Sequence, residues 1–446
     1  MKKLKSSACK VFRQILPAQS FSTRSKLLAC VGRECPNQYQ VIPGRGRPGL
    51  HDPCRGGRPR PPHQALPDQT VWAATYLKHS RDNKRVKQAV NFSALVKKAA
   101  FDAGFDLTGI APVRNFEELA KFPEWIAAGR AGEMKYLESR NDAGELRRAS
   151  LANSFPWARS VVVCAINYNT AHCYSTDFKN AAHGWISRYA WSREDYHESV
   201  LRRLRVVETK LKDITGQSIE TRSYVDTGPV VERIYAKYAG VGWLGKNTCL
   251  INQQIGSWLF LGVIVTSVEL TPDFPAPDRC GTCTRCIDAC PTEALIAPYE
   301  LDSNRCISYL TIEKRGAISE ELREGMGHQV FGCDICQDVC PWNRKAPSSD
   351  KPEFQAREGL VNPALAWLAE ISEEEFREKF RGSPVKRTKR SGLRRNALIA
   401  IGNSGDESLI PAAERASSDP DPVIAEAAQW AKQQQLKQKS AHKKSH

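Results

Sequence analysis

The 446-residue chain has no apolar run as long as the roughly 20 residues that a bilayer-crossing helix needs. Its most apolar stretch, Ile255 to Val268, is broken by Gly256, Ser257, Gly262, Thr266 and Ser267 and reads as a buried strand. Methionine is scarce: after Met1 the next is Met134. Acidic residues are missing from the first 33 positions, and residues 1–90 hold only 4 of them against 18 Lys and Arg. Residues 91–446 hold 45 acidic against 47 basic residues, so the formal net charge of +16 belongs almost wholly to the first fifth of the chain. Net charge alone therefore gives the body no reason to bind nucleic acid.

Composition is otherwise that of a globular protein, with 41% hydrophobic and 26% charged residues, and the length suits roughly two to four domains. The segment 1–88 stands apart. Gly, Pro and Arg dominate from Pro43 to Pro67, a mixture that buries too little apolar surface to fold alone. It is expected to be a disordered basic extension. An acid-free start rich in Lys, Arg and Ser suits a transit peptide, but no cleavage pattern is evident, and a stretch upstream of the true start is the favoured alternative.

A folded body is expected from 89 onward. Phe92, Leu95, Val96, Ala99, Ala100 and Ala103 recur at helical steps up to Gly104. Ser160–Ile166 reads as a buried strand, Ser199–Asp213 as an amphipathic helix and Ile219–Val225 as a strand. With Tyr235–Asn247 and the 255–268 run, they make an α/β layer over 89–270 within an α+β fold. A Pro-rich break, Thr271–Asp278, leads into a cysteine module over 271–345. Residues 346–440 read as helical: Asn362–Phe380, then Leu393–Gly402 and Pro422–Leu436, a pair like a stacked HEAT-type repeat.

Cysteine is the abundant residue, with 8 of 15 crowded between Cys280 and Cys340. Cys280-x2-Cys283-x2-Cys286-x3-Cys290-Pro291 has the ferredoxin spacing for a [4Fe–4S] cluster, in which the fourth cysteine turns toward a second cluster. Cys333-x2-Cys336-x3-Cys340-Pro341 is the partner motif, and Cys306 supplies its missing leading ligand through a long insertion. One cluster is therefore assigned to Cys280, Cys283, Cys286 and Cys340, and the other to Cys290, Cys306, Cys333 and Cys336. A pair of zinc sites is the plainer alternative, since Cys-x2-Cys serves zinc as well. Cys164 and Cys249 read as small core residues. Cys9, Cys30, Cys35, Cys54 and Cys173 have no ligand spacing. Two clusters make a one-electron wire, whose destination lies elsewhere in the chain.

Several longer motifs resemble one family. Tyr224-Val-Asp-Thr-Gly-Pro-Val-Val-Glu-Arg233, Gly242-Trp-Leu-Gly-Lys-Asn247, Gly332-Cys-Asp-Ile-Cys-Gln-Asp-Val-Cys-Pro-Trp-Asn343, and Gly382-Ser-Pro-Val-Lys-Arg387 with Leu393-Arg-Arg-Asn-Ala397 are similar to epoxyqueuosine reductases, in the family's order, from about Asn91 to Lys437. The resemblance implies a cobalamin-binding domain related to nitroreductases, a two-[4Fe–4S] ferredoxin-like module and HEAT-like helices. It implies reduction of epoxyqueuosine to queuosine at the tRNA wobble position, the last step of queuosine synthesis, by a cytoplasmic monomer fed by a small electron donor. Asp226 matches the family's proton donor; its plainer reading is an N-terminal cap for a helix opening at Gly228-Pro229. Arg233, two turns along such a helix, belongs to the pocket by resemblance, as do Asp195 and His197 in Ser187–His197, a segment one residue longer than the family pattern. Lys246 and Asn247 would hold the corrin, and Trp342 and Asn343 would stand where cluster and corrin meet. No Asp-x-His-x-x-Gly sequence occurs, which suggests cobalamin bound without a protein histidine beneath cobalt.

The tRNA contact is expected at Arg381, Lys386, Arg387, Lys389, Arg390, Arg394 and Arg395, seven bases with no acid among them, at a helix start where phosphate is favoured. Two other readings compete: a reductive dehalogenase-like cobalamin enzyme, and a ferredoxin-type carrier, which needs neither Asp226 nor the basic segment.

Overall fold

The first described element is a helix, α1 (Asn83–Asp102), which opens earlier than the start expected at 89. The structure, a computed structural model, describes residues 83–216 and 218–444; the expected extension over 1–88 lies outside them up to residue 82, and so do Cys9, Cys30, Cys35 and Cys54. α1 ends at Gly104, whose φ of +88° is the left-handed conformation that lets the chain reverse. Four strands follow: β1 (Leu107–Pro112), β2 (Ser160–Asn167), β3 (Thr221–Tyr224) and β4 (Leu259–Thr266). They form one sheet in the order β1-β2-β4-β3, antiparallel at every pairing, with Val163 opposite both Gly109 and Val263.

Every residue of β2 is buried, because both faces of the sheet are covered. On one face Val162, Cys164, Ile166 and Ile264 meet Val96 and Ala100 of α1 and Val200, Leu204 and Val207 of α2 (Tyr196–Thr215). On the other, Val161, Val163, Ala165 and Val263 meet Ile234, Tyr235 and Ala236 of α3 (Glu232–Tyr238). Each buried Val, Leu or Ile among them contributes about 1.5–3 kcal/mol. Cys164 is the core residue its neighbours predict. The alternating strand pattern thus resolves into an antiparallel sheet clad in helices, the α+β arrangement.

The chain then turns back on this layer. Gln329–Phe331 pairs parallel with the short strand Trp185–Ile186, so the cysteine region docks beside the segment leading into α2. The expected helix 362–380 is two helices, Leu365–Glu370 and Glu373–Lys379. The break comes at Ser372, which caps the second in a reciprocal box with Glu375; that local hydrogen bonding outcompetes helix continuity. Lys389–Ser404, Ile410–Ala416 and Pro422–Lys444 complete the helical cap. Gly402 sits where a Cβ would strike Trp430, so the first and last of these pack closely. All described residues belong to one compact unit. No described helix is long and apolar enough to cross a membrane.

Candidate active site and cysteine centres

Several of the eight thiols lie close enough to affect one another. Cys286 is pushed up by burial and then by Cys280 and Cys283 beside it. Cys340 is pushed up to about 11 by burial, with Cys280 and Cys286 adding to it. In the set assigned to the second cluster, burial and then Cys306 and Cys290 push Cys333 well up, and burial with Cys290 raises Cys306. Cys336 is raised first by Cys249, then by burial, Cys333 and Cys306. Burial resists charge on a bare thiol, whereas bound iron reverses that balance and holds thiolate. Among the described residues no three His, Cys, Asp or Glu side chains close on one point as a single ion requires; a four-iron cube is larger and takes ligands at its corners. Cys249, expected in the core, lies instead against Cys336.

Three consecutive residues after the Gly-rich turn tie the site together. Lys246 Nζ donates to the carbonyls of Gly281 (2.7 Å) and Cys283 (3.0 Å) in the first cysteine loop. Asn247 Nδ2 donates to the Cys336 carbonyl (3.2 Å) in the second. The Thr248 carbonyl and hydroxyl accept from Arg233. Lys246 and Asn247, expected on the corrin, are thus occupied in holding the cysteine loops. Asn343 is likewise occupied: its amide bonds Ser257 and the Gln337 carbonyl, and it is buried. Trp342 packs near Cys280 and Cys340 with its ring 5.1 Å from that of Trp243.

Past β3 the chain bends over Val225–Val230 and presents Asp226, which is not a cap. Its φ is +56°, and α3 starts at Glu232 with Val231 as its uncapped N-cap, so Arg233 stands in the first turn of α3, not two turns beyond Asp226. Residues 225–230 run as bends, so no helix opens at Gly228-Pro229. The Asp226 side chain is 69% exposed. Tyr196 Oη donates to its Oδ2 at 3.1 Å, and His197 Nε2 lies 3.9 Å from the same oxygen. His197 Nδ1 meets Asp195 Oδ1 at 2.8 Å, and Asp195 is the residue that caps a helix, accepting from the His197 backbone. Burial raises Asp195, but the hydrogen bonds from His197 outweigh it and hold the carboxyl below its ordinary value. Burial pushes Tyr189 and Tyr196 far up, so both keep their phenolic protons.

Other residues at this mouth carry no spacing signal in the sequence. Glu232 has a buried oxygen without a partner, and burial and then Asp226 push its carboxyl up to about 7. Arg148 Nη2 donates to the Gly228 carbonyl at 2.8 Å, two residues past Asp226. Tyr136 stands beside Arg148 and Arg387.

The basic segment divides. Arg381, Lys386, Arg387 and Lys389 are exposed, and Arg390 is half-buried with Nε on the Ile371 carbonyl. Arg394 and Arg395 point inward, against expectation. Arg394 pairs with Asp419 at 2.7 Å, and Arg395 donates to the carbonyls of Leu310, Lys314 and Gly316. Helical spacing from Ala397, Leu398 and Ile401 turns them into the core, so neither is open to phosphate.

Comparison with known proteins fits this geometry. A family described as a 4Fe-4S double cluster binding domain matches residues 279–343, and one described as "Epoxyqueuosine reductase QueG, DUF1730" matches 148–227. The chain is 44% identical over 294 residues to an epoxyqueuosine reductase of Synechocystis sp., covering 65% of this chain and 98% of that one. It is 38% identical over 343 residues to one of Xanthomonas campestris, covering 76% and 95%. Among solved structures it is similar to an epoxyqueuosine reductase with a tRNA-Tyr epoxyqueuosine-modified stem loop (TM-score 0.68, 32% identity, 76% of this chain and 88% of that one). It is also similar to the Bacillus subtilis epoxyqueuosine reductase with its catalytic aspartate loop swung out of the active site (TM-score 0.67, 31% identity, 75% and 88%). With the double-cluster module matched over the cysteine region and relatives matched nearly end to end, the chain belongs to the epoxyqueuosine reductase family, oxidoreductases with a double [4Fe–4S] module.

Proposed function

We propose that this chain reduces epoxyqueuosine at the wobble position of a tRNA anticodon to queuosine, with electrons entering through the two clusters and cobalamin bound beside Asp226. The observation that carries this is the continuous path from thiols to turn. Asn247 holds the Cys336 loop, Thr248 holds Arg233, and the helix of Arg233 begins at the bend that presents Asp226. The overall change takes two electrons and two protons: both epoxide carbon–oxygen bonds break, a carbon–carbon double bond forms, and the oxygen leaves as water.

Bound cobalamin would supply a metal centre that passes the clusters' electrons singly to carbon. Asp226, Arg233, Asp195 and His197 would surround it, with Lys246, Asn247, Trp342 and Asn343 fixing the cysteine loops behind. His197 faces a carboxylate at each ring nitrogen, so its imidazole would serve the carboxylates rather than the cofactor. Asp226 protonates the departing oxygen. Tyr196 orients its carboxyl, and His197, backed by Asp195, lies where it can restore the proton. Glu232, still partly protonated near neutrality, limits like charge at the bend. The exposed, left-handed turn at Asp226 suits a mobile loop such as the one in the Bacillus subtilis relative. Exposed Arg381, Lys386, Arg387 and Lys389 contribute the phosphate contacts. The setting is cytoplasmic, the working form a monomer and the partner a small electron donor or reductant.

The test is anaerobic turnover of an epoxyqueuosine-bearing stem loop with cobalamin and a reductant, with product read by mass spectrometry. Asp226→Asn should lose at least about 100-fold in kcat while cobalamin and cluster absorbance stay. Near-normal turnover by that variant would remove Asp226 from the chemistry. Reduced clusters with no corrin bound and no product would return the protein to the carrier reading.

A further inference from the structure

The rim beside Asp226 carries an aromatic ring that neither the electron path nor the proton path uses. Tyr136 lies on the short 3-10 turn Lys135–Glu138, and 45% of its surface is open to solvent. Two guanidinium groups lie over its ring, Arg387 at 5.4 Å and Arg148 at 5.7 Å from the centroid. Each arginine is fixed by something other than the ring. Arg148 donates to the Tyr136 carbonyl (3.0 Å) and to the Gly228 carbonyl (2.8 Å), so it ties this turn to the bend of Asp226. Arg387 comes from the helical cap and is held by Glu313, a mostly buried partner. Its neighbour Lys386 lies close enough to help hold down the Asp195 carboxyl. Ring, bend and basic segment, far apart in sequence, thus share one edge.

A substrate that offers flat faces and negative charge together fits such an edge. An unpaired nucleotide does: its base stacks on aromatic or guanidinium planes, and its phosphate takes guanidinium hydrogens. The ring is partly open to solvent beside the bend of Asp226, where such a nucleotide could reach it. Burial, with Glu313 adding to it, raises the Tyr136 hydroxyl, so the ring stays neutral while its surroundings are cationic.

We propose that Tyr136, with the guanidinium planes of Arg148 and Arg387, is the platform on which the loop nucleotide next to the modified one stacks, turning the modified base toward Asp226. The assignment rests on the tRNA reading above and names residues for it. It makes base recognition the work of the catalytic rim, with Arg387 serving both the ring and phosphate, beside Arg381, Lys386 and Lys389 as phosphate contacts.

The experiment measures binding of a fluorescent anticodon stem loop carrying epoxyqueuosine to the cluster-loaded, cobalamin-bound protein, at fixed salt, alongside wild-type turnover. Tyr136→Ala should weaken binding about 10-fold, and Tyr136→Phe should keep it, since the face is what stacks. Stem loops abasic at either neighbour of the modified base supply the partner mutation. Loss of the contacted base should weaken wild type but add little in Tyr136→Ala, a coupling that a merely structural tyrosine would not produce. Arg387→Met should weaken binding and flatten its salt dependence. Equal affinities for Tyr136→Ala and wild type, or additive losses at both abasic positions, overturn the platform even where wild type converts its substrate. Absent wild-type conversion overturns the tRNA reading instead.

Discussion

Three thiols of the first group, Cys280, Cys283 and Cys286, come from one loop whose Gly281, Thr282, Thr284 and Arg285 are exposed. The second group is gathered from three segments, at Cys290, at Cys306 and at Cys333 and Cys336, of which Cys306 and Cys333 pack against the largest apolar core, with Ile307, Leu310, Val330 and Phe331. Ordering a single loop costs little chain entropy, whereas joining distant segments must be offset by packing already in place. The first centre therefore sets three thiols of a local loop against the buried Cys340, whereas the second is gathered wholly from separate segments of the fold. Their anchoring aspartates repeat the contrast. Asp334, between Cys333 and Cys336, is fully buried and accepts from Trp185 Nε1 (3.0 Å), the Ser187 hydroxyl and the Arg188 backbone (2.8 Å). Asp278, ahead of Cys280, is exposed and accepts from the Cys280 backbone (2.7 Å) and the Tyr299 hydroxyl.

The largest expected effect follows at Asp334. Asp334→Ala strands three buried donors and opens a gap where the Trp185–Arg188 segment meets the cysteine region, a loss of about 3–5 kcal/mol. We expect iron content to fall by about half, with the spectrum of one cluster surviving, and a lower midpoint of thermal unfolding. A variant with both clusters and wild-type stability would show that the second centre holds itself together, and the contrast would fail.

The same contrast decides what could be read from sequence. The first centre was legible because its ligands obey loop spacing. Cys306 was legible only by counting, since nothing local marks it, and the grouping around it depends on tertiary packing. The buried strand Ser160–Ile166 and the core helices emerged from periodicity because burial is periodic. Asp226 was legible as a residue but not as a left-handed turn, because φ is set by the path between β3 and α3. Arg394 and Arg395 were misread as surface charge, although their spacing to Ala397, Leu398 and Ile401 places them on the apolar face. Tyr136 had no signal at all: its partners lie at Arg148 and Arg387, and only folding brings them together.

A middle-sized effect is kinetic. Iron bound by an exposed loop is open to chelator and oxygen, whereas iron beneath the core must wait for that core to open. Anaerobic treatment with a chelator should therefore release iron in two phases of similar amplitude, the fast phase from the first centre. Denaturant below the unfolding transition should speed the slow phase more than the fast one. A single phase would mean that both centres open together, as one cooperative unit.

The smallest effect belongs to the exposed anchor. Asp278→Ala removes two acceptor bonds, but the stranded Cys280 amide and Tyr299 hydroxyl reach water at once, so the expected loss is only about 0.5–1 kcal/mol. Burial and the Asp278 carboxylate raise the Tyr299 phenol, which therefore remains a donor throughout the range of assay. Both clusters should assemble, while the fast phase of iron release accelerates a few-fold, on the order that such a loss allows. Lys246, donating to the carbonyls of Gly281 and Cys283, braces the same loop from the other side, so Lys246→Met should act on the fast phase in the same sense. If either change instead disturbed the slow phase, the Lys246–Thr248 turn would be carrying strain between the centres, and the first loop would have to be counted as part of the fold.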